Sequence, residues 1–228
     1  EKLSRDDLAA FARRIWPDFG GDSGTLVQAL FVATDEGDPL LLQLYAEALG
    51  ADPSLLLAQG IDKGSIQKGL DRFFELWWAD QERVWGHRFT RLAPAVRMVF
   101  NVLALAIGPI GRRGLLEVLR RVDPTIDGDA LDEALALLSR FTVHSDGEYV
   151  LAHPRFAEHR RLRLHADGDS GKMLGAFRAW AEDSIGDTTR PIERYLVRNW
   201  ILHLERDGAA PGDFRLACEY RWQQAWDS

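Results

Sequence analysis

One stretch constrains this chain more than any other: Phe141-Thr-Val-His-Ser-Asp-Gly-Glu-Tyr-Val-Leu-Ala-His153. Two short β-prone runs flank Asp146-Gly147. Asp-Gly between such runs is the strongest short-range hairpin signal, because both turn residues must accept positive φ. Nearly everything else in the chain has helical period. The sequence must fold as a mainly α structure that accommodates one small hairpin.

The helices are punctuated by their own start and stop signals. Ser4-Arg-Asp-Asp7 reads as a capping box opening a helix to about Trp16. A second helix is expected over Thr25–Ala33. In Gly37-Asp38-Pro39, Asp38 suits the N-cap and Pro39 the first helical position, where it has no N–H to lose. Leu41, Leu42, Tyr45, Ala48 and Leu49 then recur at helical spacing, and Gly50 ends the run. Asp52-Pro53 repeats the device before a short helix ending near Gly60. After a linker at Asp62–Gly64, a long amphipathic helix is expected from Ser65 to about Trp85.

Before the hairpin come three further helical runs: Pro94–Ile107, Arg113–Arg121 and Asp129–Phe141. Three helices followed by a hairpin is the order of a winged helix-turn-helix. Beyond it, Pro154 starts a helix carrying Arg155, Arg160, Arg161 and Arg163, and His165–Lys172 reads as a polar connection. Leu174–Ile185, Pro191–Glu205 and Asp213 to about Trp226 are helical again. Three parts are expected: a helical lid-like subdomain over 1–62, a winged-helix domain over 63–166, and the start of a helical scaffold over 167–228.

Bulk composition removes several function classes. The 228 residues hold 46% hydrophobic and 28% charged side chains, as a globular protein does. A formal charge of -7 argues against bulk electrostatic capture of DNA. Cys218 is the only cysteine, which forbids an internal disulfide and fits a cytoplasmic setting. No apolar run reaches membrane-spanning length, so no membrane partner is expected. The chain begins on Glu-Lys-Leu-Ser without Met, and reads as a piece of something longer.

Catalytic signatures are sparse. Gly168-Asp-Ser-Gly171-Lys172-Met173 mimics the end of a P-loop, but Ala166 replaces its first glycine and Met173 its magnesium-holding hydroxyl. His153 and His159 do not share a helical face, and no metal site is expected. No Gly-x-Ser-x-Gly elbow is present. For DNA reading, the helix starting at Asp129 opens with Asp127, Asp129, Asp132 and Glu133, which phosphates would repel. Arg112, Arg113, Arg120 and Arg121 are the nearest basic cluster, so nucleic acid is not an expected partner. Trp77, Trp78, Trp85, Trp180 and Trp200 fall on apolar helix faces and read as core.

On these residues the chain resembles the second half of a nucleotide switch of the STAND class, the NACHT and NB-ARC group of P-loop ATPases. Gly37-Asp38-Pro39 with Leu40-Leu41-Leu42 looks like the lid's Gly-x-Pro motif. His153, in Tyr149-Val-Leu-Ala-His-Pro-Arg-Phe156, stands where the family's winged-helix histidine would, and Tyr195–His203 looks like its scaffold helix. Members commonly place Asp after that histidine, where this chain has Pro154.

The resemblance implies a regulatory fragment of an ATP/ADP-dependent switch in bacterial defence or regulation. ADP or ATP would be the cofactor, with magnesium supplied by a P-loop core absent from these residues. Pro39, Gly37 and His153 would be nucleotide-binding: Pro39 packs on the adenine and His153 donates to a phosphate oxygen. No catalytic residue is implied, so the fragment alone is no enzyme while its parent would be an ATPase. The implied partners are that core, further copies of the chain on activation, and a protein trigger. A winged-helix DNA-binding regulator and a purely structural helical module are the alternatives.

Overall fold

In the computed structural model, the structure describes residues 2–50, 52–58, 73–74, 77–78, 81, 83–84, 89–187, 189–210 and 214–215. It is mainly helical with one small sheet. The chain forms two compact units, Glu1–His87 and Arg88–Ser228. Most of the helix expected over 65–85 and the one over 213–226 lie outside the described residues, as do Cys218, Trp85, Trp222 and Trp226.

The first unit holds α1 (Arg5–Ile15), α2 (Ser23–Ala33), α3 (Pro39–Leu49) and α4 (Ser54–Ala58). Each of the first three helices begins on a side-chain cap that satisfies amides with no intrahelical partner. Ser4 and Asp7 form the expected capping box. The carboxylate of Asp22 accepts from the amides of Gly24 and Thr25, which starts α2 two residues earlier than the apolar pattern suggested. Asp38 accepts from Leu40 and Leu41 at 3.0 and 3.1 Å, with Pro39 at the first helical position. On α3 the buried face is Leu41, Leu42, Leu44 and Tyr45, so Leu44 replaces Ala48 on the inward side. The ring of Phe73 meets Tyr45 edge-on at 5.6 Å.

The second unit begins with α5 (Phe89–Leu105), β1 (Ile110–Gly111), α6 (Arg112–Val122) and α7 (Gly128–Leu137). The hairpin β2 (Thr142–Ser145) and β3 (Glu148–Leu151) follows, then α8 (Pro154–Asp167), α9 (Ser170–Gly186) and α10 (Arg194–Arg206). Asp146 and Gly147 have φ of 53° and 77°, as a two-residue primed turn requires. The sheet is antiparallel, in the order β1-β3-β2. Strand β1 was not expected. Its two residues pair with Tyr149 and Glu148, and Ile110 is fully buried beneath them.

Helix α5 starts before Pro94 rather than at it. Proline inside a helix forfeits a backbone hydrogen bond. Burial of Leu92, Ala93, Ala95, Val96 and Val99 on both sides of it outweighs that loss. The core continues through Leu115, Val118 and Leu119 of α6, Leu131 and Leu135 of α7, and Phe141, which touches Phe100 and Phe156. The polar connection expected over 165–172 shrinks to two residues. Gly168, at φ 77°, ends α8 in the left-handed conformation, and α9 starts at Ser170. Helix α9 packs on α6 within the same compact unit.

Candidate functional site

Gly37, Pro39 and His153 fall in different units, and each is described in its own. The loop before Pro39 is tightly determined. Thr34 is fully buried, its hydroxyl donating to the Leu30 carbonyl and accepting from the Gly37 amide. Helix α2 then closes as a Schellman motif, with the amide of Glu36 on the Phe31 carbonyl and that of Asp35 on Val32. Three successive residues, Asp35, Glu36 and Gly37, have positive φ: 49°, 64° and 92°. Two of them carry side chains in a region that L-residues rarely adopt, so strain is concentrated there.

Gly37 is buried, and its carbonyl accepts from the Leu3 amide at 2.7 Å. A Cβ at this position would sit 2.1 Å from the Leu3 carbonyl oxygen. Only glycine fits. Lys2 adds a bond from Nζ to the Asp35 carbonyl. The segment before α1 is thereby fastened to the loop, and Pro39 is left exposed on the first turn of α3.

His153 is the N-cap of α8. Its Nδ1 accepts from the Arg155 amide at 3.2 Å, and its ring stands edge-on to Phe156 at 6.1 Å. A neutral imidazole has one donor and one acceptor. With Nδ1 accepting, the proton resides on Nε2, and no hydrogen bond among the described residues engages that N–H. The pairing of Ala152 amide with Phe141 carbonyl holds the strand end beside it.

The basic cluster near β1 is largely neutralised. Arg112 grips Asp132 through Nε and Nη2, both at 2.7 Å, and also reaches the Gly128 carbonyl. Arg113 pairs with Glu193, and Arg121 with Glu117 and Asp183. Arg120 alone of the four has no ion pair among the described residues. The acidic start of α7 therefore serves its own helix, through Asp127 on the Ala130 amide, and its neighbour α6 through Asp132.

The P-loop mimic is a helix junction. The amides of Gly168 and Asp169 bond to the carbonyls of His165 and Leu164, and Gly171-Lys172 belongs to the first turn of α9. Its amides close a helix instead of lining a phosphate cradle. No group of three or more His, Cys, Asp or Glu that could hold a metal ion occurs among the described residues. No helix among them is long and apolar enough to cross a membrane.

Two polar arrangements escaped the sequence reading. Nε of Arg160 donates to Oδ1 of Asn101, a buried polar residue in the apolar run of α5. Burial first, then Arg97 and Arg163, outweigh Asp167 and Asp169 and hold the Arg160 guanidinium below its ordinary pKa. The second is a chain on α10. Arg206 donates to Nδ1 of His203 at 3.0 Å, and Nε2 of His203 lies 2.7 Å from the Tyr195 hydroxyl. An asparagine inside an apolar helix, and a histidine eight residues after a tyrosine on one face, were the available signals. Comparison with protein-family models, with curated proteins and with solved structures gave no match.

Proposed function

We propose that this chain is the regulatory part of a nucleotide-dependent switch of the STAND class, lid-like in its first unit and winged-helix in the first part of its second. One observation carries the reading: the N–H on Nε2 of His153, directed by an N-cap bond at the exit of a hairpin. The order α5-β1-α6-α7-β2-β3, with β3 between β1 and β2, supports the winged-helix assignment.

The residues fit an adenine nucleotide in different ways. His153 offers one oriented donor suited to a phosphate oxygen. Pro39 offers an exposed apolar ring on a helix start fixed by Asp38. Gly37 contributes through its backbone, which lets the loop adopt its shape against Leu3. A P-loop core outside these residues supplies the lysine and magnesium that hold the phosphates. Switching follows where the nucleotide binds one arrangement of the parent more tightly than another. Oligomerisation on activation, a protein trigger and a place in bacterial defence or regulation belong to this proposal.

DNA binding by the winged helix is not favoured, because Arg112, Arg113 and Arg121 are already paired with carboxylates. The test is made on the parent protein: purify it, denature it and quantify released adenine nucleotide. Stoichiometric ADP or ATP in the wild type, much reduced in His153→Asn, is the expected result. Nucleotide retained at wild-type level by His153→Asn removes the histidine from the pocket, and a parent that carries none sinks the switch.

A further inference from the structure

The first unit has a cleft that the switch reading does not use. It lies between α1, α2 and the loop joining them, with a volume of about 560 Å³. That is within the roughly 300–1,000 Å³ of small-molecule sites. Ala12, Trp16 and Leu26 form an apolar floor, each nearly inaccessible to water, and Phe19 and Val27 stand at its sides.

Of the two aromatic rings, that of Trp16 is fixed in advance. The indole N–H of Trp16 donates to the Gly50 carbonyl at 2.7 Å, and Phe11 meets its ring edge-on. Phe19 lies directly over Gly21, where a Cβ would come within 2.4 Å of the ring. Any larger residue at position 21 would displace it. A ring preformed as that of Trp16 is reduces the ordering cost of binding.

Charge selects the occupant. Arg5, Asp6 and Arg13 line the rim, and none of the three makes an ion pair among the described residues. Arg5 lies over the Phe31 ring at 4.7 Å, a contact that brings no carboxylate to it. Asp22 is nearby in sequence, but its carboxylate is occupied by the amides of Gly24 and Thr25 and the Thr25 hydroxyl. Two guanidiniums and one carboxylate thus line the rim above an apolar floor, while the first amides of α2 are already taken by Asp22.

We propose that this cleft binds a small amphipathic monoanion, a flat apolar body bearing one carboxylate or comparable acidic group. The body lies between Trp16 and Phe19, and the acid takes charge-assisted bonds from Arg13 and Arg5. None of Gly37, Pro39 or His153 lines it, so the proposal stands or falls apart from the nucleotide reading.

The experiment uses the full 228-residue chain, naphthoate as probe, and naphthalenemethanol as its neutral analogue. Binding is followed by calorimetry and by the Trp16 indole resonance. Saturable one-to-one binding is expected, weakening with salt and about tenfold weaker in Arg13→Gln. Val27→Trp, which fills the cleft, should abolish it, and Ala9→Phe does the same from the opposite helix should the first variant fail to fold. Absence of saturation, equal affinity for the neutral analogue, or binding that survives in a folded filling variant would each overturn the proposal.

Discussion

Nε2 of His203 and the hydroxyl of Tyr195 lie 2.7 Å apart inside the second unit, two helical turns apart on α10. The direction of that bond follows from Arg206. A guanidinium only donates, so Nδ1 of His203 must accept from it and the ring proton sits on Nε2. Tyr195 accepts that proton and also the Ile107 amide, at 3.1 Å. Arg206 meanwhile caps the Leu105 carbonyl at the end of α5. Helix α10 is fastened to α5 by three side chains in one chain of bonds.

That network makes stability depend on pH. Burial chiefly, and Arg206 next, lower the pKa of His203 from 6.5 to about 3. The folded value lies below the unfolded one, so the unfolded state binds the proton more readily. The contribution is complete above the unfolded value of 6.5 and is lost as pH falls toward 3. By about pH 5, where most carboxylates remain ionised, the loss reaches about 2 kcal/mol. Urea midpoints for wild type should fall between neutral pH and that point, with a flatter profile in His203→Gln. A wild-type profile as flat as the variant's would show that the ring is not kept neutral by the fold.

The Gly37 loop predicts a large cost for one methyl group. Gly37→Ala meets both a positive φ and the Leu3 carbonyl, neither of which can yield without moving the chain before α1. A loss of about 2 kcal/mol or more is expected in chemical denaturation. Asp35→Gly should do the reverse or nothing, because it relieves the left-handed strain at the end of α2 and gives up only an exposed 3.8 Å ion pair to Lys2. Equal destabilisation by the two changes would argue against strain confined to this loop.

A second close approach joins α6 and α9. A Cβ on Gly114 would lie 2.6 Å from Cη2 of Trp180. Trp180 is itself stacked on Tyr195 at 5.9 Å and only 2% exposed, so its ring has nowhere to retreat. Gly114→Ala should cost about 1–3 kcal/mol by overpacking. The thermal midpoint reads it directly, and Gly175→Ala on the same α9 provides the control, since among the described residues nothing beyond its own helix backbone and chain neighbours lies within 4 Å of a Cβ there.

What could be read in the sequence was local chemistry. Ser4 with Asp7, Asp38 with Pro39, and Asp146 with Gly147 each carry their partner within a few residues, and all three act as their spacing implies. Less legible was anything decided by distant packing. Pro94 marks a helix start by itself, yet α5 runs through it because the flanking alanines and valines are buried. Strand β1 is two residues long and exists only because Tyr149 and Glu148 are there to pair with it. The same division holds at the candidate sites. His153 stands out in the sequence, whereas its cap to Arg155, and the assignment of its N–H to Nε2 that results, depend on the backbone geometry after β3. The cleft around Trp16 and Phe19 has no sequence signature, since it is built by the fold of the loop between them and α2.

His153 holds two roles that one substitution can separate. Its Nδ1 caps α8, and its Nε2 is the donor on which the nucleotide reading rests. Asparagine is among the best N-cap residues, and its side-chain oxygen can take over the Arg155 amide, while its NH2 group, on a shorter side chain, falls short of the position Nε2 occupies. Alanine loses both. Denaturation should therefore find His153→Ala about 1 kcal/mol less stable than wild type, with His153→Asn at or above it. Nucleotide retention by the parent should fall in both variants alike. If retention instead tracks stability, lost in alanine and kept in asparagine, the histidine acts on the nucleotide only by starting the helix, and its ring never meets the phosphate.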